Sequence, residues 1–344
     1  MLRIDIMLTE KENYLLLLNH KCPEWVPNYS FGADPSGKPV ASVMLEPPIL
    51  SDNRFKGGGK DVWGVEFIGN IETGGALIPK PNDFILTDIT KWRDVIKAPS
   101  LEGIDWEAQV NMMLGQFKFD RSQSAVAFNM HYGYFQNLMG MMGFTEGLCA
   151  MYEEPEEVYA LLDYLCTFYC EIAKNIMPIL KPDVFTLMDD TAAWANPFIS
   201  PQMYHDLIFP FHYRQSQFAR DAGIPITMHN CGKCECFISD FLALGVDLME
   251  PAQTCNDLDG IKKTYGDRLA IAGAWDARGR LLEPDVTDDE IRQSVIDAID
   301  RYAPGGGYAF CGGFLGAAGD PEPKRKNRIV AETVKNYGGG FYRK

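Results

Sequence analysis

The sequence has no excess of positive charge, no apolar run long enough to cross a bilayer, no glycine fingerprint for a nucleotide and no internal repeat visible along its 344 residues. Each absence removes a class of function. With 32 basic against 47 acidic side chains and a formal charge of -15, the chain lacks the basic footprint that nucleic-acid backbones or anionic membranes demand. Neither is expected as a partner. The YLLLL run at residues 14–18 is far short of the roughly 20 apolar residues of a membrane span. The opening MLRIDIMLTEKENYLLLLNH has neither a basic region leading into a long apolar stretch nor a small-residue cleavage site, so it does not read as a secretory signal. No GxGxxG or P-loop is found, and Gly305-Gly306-Gly307 precedes a strand-like run where a phosphate loop would follow one.

What is present is a globular composition, 46% hydrophobic and 23% charged, enough for a sizeable core. At about 150 residues per domain the length suggests two domains, yet a single α/β barrel also reaches this size. The nine cysteines are odd in number and scattered, which fits a reducing cytoplasm with thiols buried or bound to metal.

Residues 1–120 are punctuated by proline and glycine (FGADPSGKPV, LEPPIL, FKGGGKDVWG) and read as an N-terminal elaboration packed on the rest. Within them, Thr9-Glu10-Lys11-Glu12 is a capping-box helix start, and a short helix is expected from Asp88 to before Pro99. From residue 121 to 344 short apolar runs alternate with helical patterns: SAVAFNM (124–130), DVFTLM (183–188), IPITMH (224–229), VDLME (246–250), LAIAGAW (269–275) and GGYAFC (306–311). A long helix is expected from Pro155 to about Ile179, and another opens at Pro201. Alternation of this kind means parallel βαβ units.

Every one of these runs ends in, or is followed at once by, a polar or metal-competent side chain: His131, Asp189 and Asp190, His229 with Cys231, Glu250, Asp276 and Cys311. Active sites of TIM barrels are assembled from the C-terminal ends of different strands, whereas a doubly wound sheet concentrates its ligands at one switch point. A (β/α)8 TIM barrel with an N-terminal elaboration is therefore expected, as a single structural domain.

The densest chemistry is Met228-His229-Asn230-Cys231-Gly232-Lys233-Cys234-Glu235-Cys236. Imidazole and thiolate are zinc donors, and a His-x-Cys pair leaving a strand end aims both at one point. A catalytic zinc keeps an open position and needs a ligand from elsewhere; Cys311 is the candidate, with Glu250 a further one. Cys234 or Cys236 would replace Cys311 if the site were local, although both are expected on the following helix. Buried, inert thiols are the bland alternative. Asp189 and Asp190 are candidates for general acid–base or hydrogen-bonding roles, against helix capping. His131 joins them as a candidate catalytic group, while Tyr132, Tyr134 and Asp276 are candidate substrate contacts. His205 and His212 share a helix face and are expected to be surface or packing residues.

The order VFTLMDD, FISPQMYHDLIFPF, ITMHNCG, FLALGVDLMEP, YGDRLAIAGAWD and GGYAF resembles the uroporphyrinogen decarboxylase superfamily over roughly residues 125–340. WGVEF and KWRDVIKAPSLEGIDWE resemble its methyltransferase branch. The resemblance implies a TIM barrel and, in that branch, a zinc-dependent methyltransferase working with a corrinoid carrier protein whose cobalamin is the methyl relay. His229 and Cys231 match the branch's His-x-Cys motif. Its distal cysteine usually follows a Pro-Gly a few residues beyond Cys311, where this chain has GGFLG. The N-terminal stretch KCPEWVPNYSFGADPSG lacks the paired arginines of tetrapyrrole decarboxylases. LTEKENYLLLLNHKCPEWVP is similar to the methyltransferase I proteins of anaerobic aromatic O-demethylase systems, implying methyl transfer from a methoxylated aromatic to cob(I)alamin, with zinc as Lewis acid. A methylcorrinoid:thiol methyltransferase of the coenzyme M type is the alternative, and a decarboxylase comes behind it. The chain lacks an Asp-x-His-x-x-Gly signature for carrying the corrinoid itself, and a homodimer is compatible with all of these readings.

Overall fold

A computed structural model describes residues 8–70, 76–130, 133–317 and 319–343. Strands are numbered along the chain. Seven form one all-parallel sheet, in the order β1 (Ser42–Leu45), β5 (Ala125–Asn129), β6 (Val184–Met188), β7 (Ile226–His229), β8 (Val246–Ala252), β9 (Ala270–Ala274) and β10 (Tyr308–Cys311). The other three, β2 (Gly58–Lys60), β3 (Glu66–Asn70) and β4 (Ala76–Pro79), make a separate antiparallel sheet within the N-terminal third. Because parallel strands need long crossovers, a helix follows nearly every barrel strand and covers its outer face.

The seam between β1 and β10 is filled by residues 27–31. Asn28 bridges Phe310 in parallel, the Tyr29 amide donates to the Phe310 carbonyl at 2.8 Å, and the Phe310 amide donates to Pro27 O at 2.9 Å. On the other side the Met44 amide donates to Phe31 O at 3.3 Å. This segment stands in the eighth strand's position and closes the TIM barrel. The first 120 residues are thus not only a cap: β1 and residues 27–31 are staves of the barrel itself, and the rest of that region is laid over it.

Period-two alternation sorts the strand side chains into two sets. Val126 and Phe128, Phe185 and Leu187, Ile226 and Met228 belong to the large outer core shared with the helices. Ala125, Ala127, Val184, Leu248, Ala270, Ala272, Ala309 and Cys311 cluster inside, with Tyr14, Leu17, Leu18 and Tyr29. The alanines make the room that Tyr14 and Tyr29 fill, since a barrel interior is a packed core. Tyr14 comes from helix Glu10–Leu18, whose start is a complete capping box of Thr9 and Glu12. Helix Pro155–Leu180 buries Val158, Leu161, Leu162, Leu165 and Phe168, the stripe its spacing predicts. Among the described residues no helix is long and apolar enough to cross a membrane.

Candidate functional site

His229 ends β7, and the β7–β8 register sets it beside Glu250. Both face the barrel interior, one residue pair above the packed alanine layers. The Glu250 carboxylate is 1% exposed; its Oε2 lies 2.8 Å from His229 Nδ1 and its Oε1 3.2 Å from the Tyr29 hydroxyl, which donates to it. A carboxylate on one ring nitrogen fixes the histidine's orientation and leaves the other nitrogen free to act as a donor. That nitrogen, Nε2, lies 3.5 Å from Cys231 Sγ and 3.5 Å from Asp190 Oδ1. Donor atoms of Asp190, His229 and Cys231 all lie within 4.8 Å of one another. Burial opposes charge on His229, but the neighbouring Glu250 carboxylate and Cys231 outweigh it and hold the imidazole's pKa well above its usual value. Burial raises the Cys231 thiol, the direction a bound cation would reverse.

The loops carrying these donors are locked to each other. Asp190 Oδ1 accepts from the Cys231 amide at 2.8 Å and Oδ2 from Gln136 Nε2 at 3.1 Å. Asn230, buried, donates to Thr191 Oγ1 at 2.7 Å and accepts from the Thr191 amide. Gly232 has φ +85°, and a Cβ there would lie 2.4 Å from the Ala192 carbonyl oxygen, so only glycine fits between the two loops. Gly232 N donates to Gln253 Oε1 at 2.7 Å, and Gln253 reaches on toward Asp276.

The other expected residues fall as follows. Cys311 ends β10 and is buried inside the barrel, outside the three-donor set; burial raises its thiol pKa. Asp276 accepts from the Thr254 amide and hydroxyl at 2.7 Å each, bracing the loop after β8. Asp189 is fully buried, and its oxygens accept from the Phe135 and Gln136 amides at 3.0 and 3.1 Å, capping helix Tyr134–Met142 from the end of the adjacent strand β6. Tyr134 is turned into the outer core rather than along a pocket edge: its hydroxyl donates to Gln215 and its ring packs on Phe211 and His212. His131 and Tyr132 lie outside the described residues. Cys234 is buried with its thiol toward Asn230 O, and Cys236 is exposed on the short helix Glu235–Phe237. His205 pairs with Asp240 at the surface, and His212 is packed in the core.

Three residues of the site were not expected from the sequence: Tyr29, Phe31 and Gln136. Phe31 sets its ring edge-on to His229, with centroids 5.1 Å apart. The first two come from a segment with no strand pattern, so no local signal marks them. Gln136 is placed by the helix that Asp189 caps. Away from the mouth, an open groove of about 450 Å³ between the outer helices is lined by Cys170, Tyr213, Arg214, Gln217, Phe218 and Asp221; no three-donor set lies there among the described residues.

Residues 130–323, more than half of the chain, match the sequence pattern of the family described as uroporphyrinogen decarboxylase (URO-D). A stretch of 128 residues, 35% of this chain, is 29% identical to the methylcobamide:CoM methyltransferase MtaA of Methanosarcina barkeri and covers 37% of it. The match therefore spans well under half the length of that curated relative. A solved structure of a methyltransferase from Methanosarcina mazei superposes with a TM-score of 0.61 over 96% of this chain and 99% of that one, at 14% identity, which is a likeness of fold.

Proposed function

Because the chain belongs to the uroporphyrinogen decarboxylase (URO-D) family, we propose that its barrel mouth is a zinc site serving corrinoid-dependent methyl transfer. The observation that carries this reading is the convergence of Asp190, His229 and Cys231. Carboxylate, imidazole and thiolate are all zinc donors, and three protein ligands with an open position are the pattern of a catalytic site. Cys311, at the end of β10, is the further ligand proposed; Glu250, first a candidate ligand too, has its oxygens on His229 Nδ1 and the Tyr29 hydroxyl and is proposed to hold that histidine instead. A decarboxylase acting on a carboxylate-rich tetrapyrrole would want cationic side chains at this point; the cluster offers acids and a thiol instead.

Bound there, zinc would supply Lewis acidity, lowering the pKa of an acceptor thiol or drawing charge from an ether oxygen. The protein's own groups do the rest. With zinc bound, Glu250 would hold the His229 proton on Nδ1 and leave Nε2 to the metal. Asp190 is held by Gln136 and by the Cys231 amide, which fixes the β6 and β7 loops in one geometry. His131 and Tyr132, which follow β5, are proposed to reach the substrate, with Asp276 bracing the mouth. The cobalamin is proposed to arrive on a separate corrinoid protein docking over the strand ends.

Two methyl partners fit. The likeness to the methylcobamide:CoM methyltransferase favours a small thiol as acceptor. A methoxylated aromatic as donor is favoured by Phe31, which is 37% exposed and lies edge-on to His229, giving a flat ring an apolar wall beside the donors. One experiment separates them: zinc-replete protein is mixed either with methylcobalamin and 2-mercaptoethanesulfonate, or with cob(I)alamin and a panel of methoxybenzenes, while the cobalamin spectrum is followed. Demethylation of cobalt selects the thiol reading and methylation of cobalt selects the ether reading. Protein that carries no zinc and changes neither spectrum would refute both.

A further inference from the structure

We propose that Tyr29 is a positioning residue of the metal site, and that the barrel-closing segment 27–31 holds the ligating histidine in place. The inference rests on the zinc reading above. Backbone hydrogen bonds to Phe310 and Met44 fix the segment as an eighth stave, and period-two alternation then turns both Tyr29 and Phe31 toward the site. Tyr29 is 3% exposed and reaches Glu250 Oε1 at 3.2 Å, while the same carboxylate's other oxygen holds His229 Nδ1 at 2.8 Å. The line Tyr29–Glu250–His229 therefore runs from the N-terminal segment to a candidate ligand, and the edge of Phe31 meets the imidazole ring.

A buried carboxylate must find donors for its lone pairs. Without the Tyr29 hydroxyl, Oε1 has lost a donor that fixes the carboxylate plane, and the imidazole loses its orientation with it. Outer-shell partners of this kind typically change metal affinity by about 10–100-fold. The structure contains its own control: Tyr14 is buried beside Tyr29, with ring centroids 5.9 Å apart, yet its hydroxyl has no hydrogen-bond partner among the described residues. Packing in the barrel interior is common to both tyrosines, whereas the link to Glu250 belongs to Tyr29.

The test is zinc affinity of the full chain, by competition with a chromophoric chelator well below the unfolding transition, together with the absorption spectrum of the cobalt(II)-substituted protein. Tyr29→Phe should weaken zinc binding roughly 10-fold and shift the cobalt bands, while Tyr14→Phe leaves both as in the parent protein. In a Glu250→Gln background the Tyr29→Phe effect should shrink or vanish, since the two act through one another. Unchanged affinity in Tyr29→Phe, an equal loss in Tyr14→Phe, or full additivity with Glu250→Gln would each overturn the inference while leaving the zinc site standing. A parent protein that binds no zinc would remove the zinc site, and the inference with it.

Discussion

Asp189 Oδ2 and His212 Nε2 face each other at 3.7 Å, both fully buried between the sheet and the helices behind the candidate site. Burial raises the Asp189 carboxyl from 3.8 to about 7 and lowers the His212 imidazole from 6.5 to about 3. In the folded protein the pair thus holds one proton, on Asp189, between about pH 3 and 7. In the unfolded chain it also holds one, on His212, between pH 3.8 and 6.5. Equal proton counts mean no contribution to the pH slope of stability in that window.

Each single substitution should expose one half of this balance. Asp189→Asn leaves His212 alone: its stabilisation is complete above pH 6.5 and is lost as pH falls toward about 3. Relative to the parent, this variant should lose up to about 1.4 kcal/mol per pH unit on acidification. His212→Gln leaves Asp189 alone, and stability should instead fall as pH rises from about 4 to 7. Urea unfolding of the metal-free protein at pH 4.5, 5.5 and 6.5 measures both; difference slopes of the same sign would refute the assignment.

Cys231 is only half-buried, so Cys231→Ser should leave the fold intact. Zinc content and methyl transfer should fall together, the latter by at least about 100-fold, as expected for loss of a direct ligand. Metal analysis and the cobalamin assay check this, and full activity with retained zinc would exclude Cys231 from the site.

Gly232→Ala tests the joint between the β6 and β7 loops. A side chain at φ +85° meeting the Ala192 carbonyl should cost about 2 kcal/mol or more. Because the same loop carries Cys231, metal affinity should drop as well. Thermal unfolding and chelator competition read the two effects separately.

Glu250→Gln keeps the side chain's shape and removes its charge. The hydrogen bond to His229 Nδ1 would no longer be charge-assisted, and zinc affinity should fall about 10–100-fold. If affinity is unchanged, Glu250 neither orients the histidine nor ligates the metal.

Six of the seven strands of the barrel sheet were readable as short apolar runs ending in chemistry, and His229, Cys231 and Asp190 were readable because they sit at those ends. β1 was not: Ser42–Leu45 is four residues among prolines, and it becomes a strand only by pairing with β5. Residues 27–31 carry still less pattern, since their regularity comes from β10 at the far end of the chain. Asp189 and Asp190 look equivalent as neighbours, but alternation at the strand end sends one to a helix terminus behind the sheet and the other to the mouth. Its place at a strand end made Glu250 a candidate ligand; only the register sets it beside His229 with an oxygen on Nδ1.

Closing the barrel through Asn28 and Phe310 also has a consequence for how the chain is made. The two lips of the seam are far apart in sequence, so the growing sheet keeps open edges while everything between residues 28 and 310 is synthesised. Exposed parallel edges invite pairing with other chains, and contacts of such long sequence separation form slowly. Until β10 is synthesised and zipped to residues 27–31, Tyr29 has no fixed station opposite Glu250, so closing the barrel also completes the geometry of the proposed metal site.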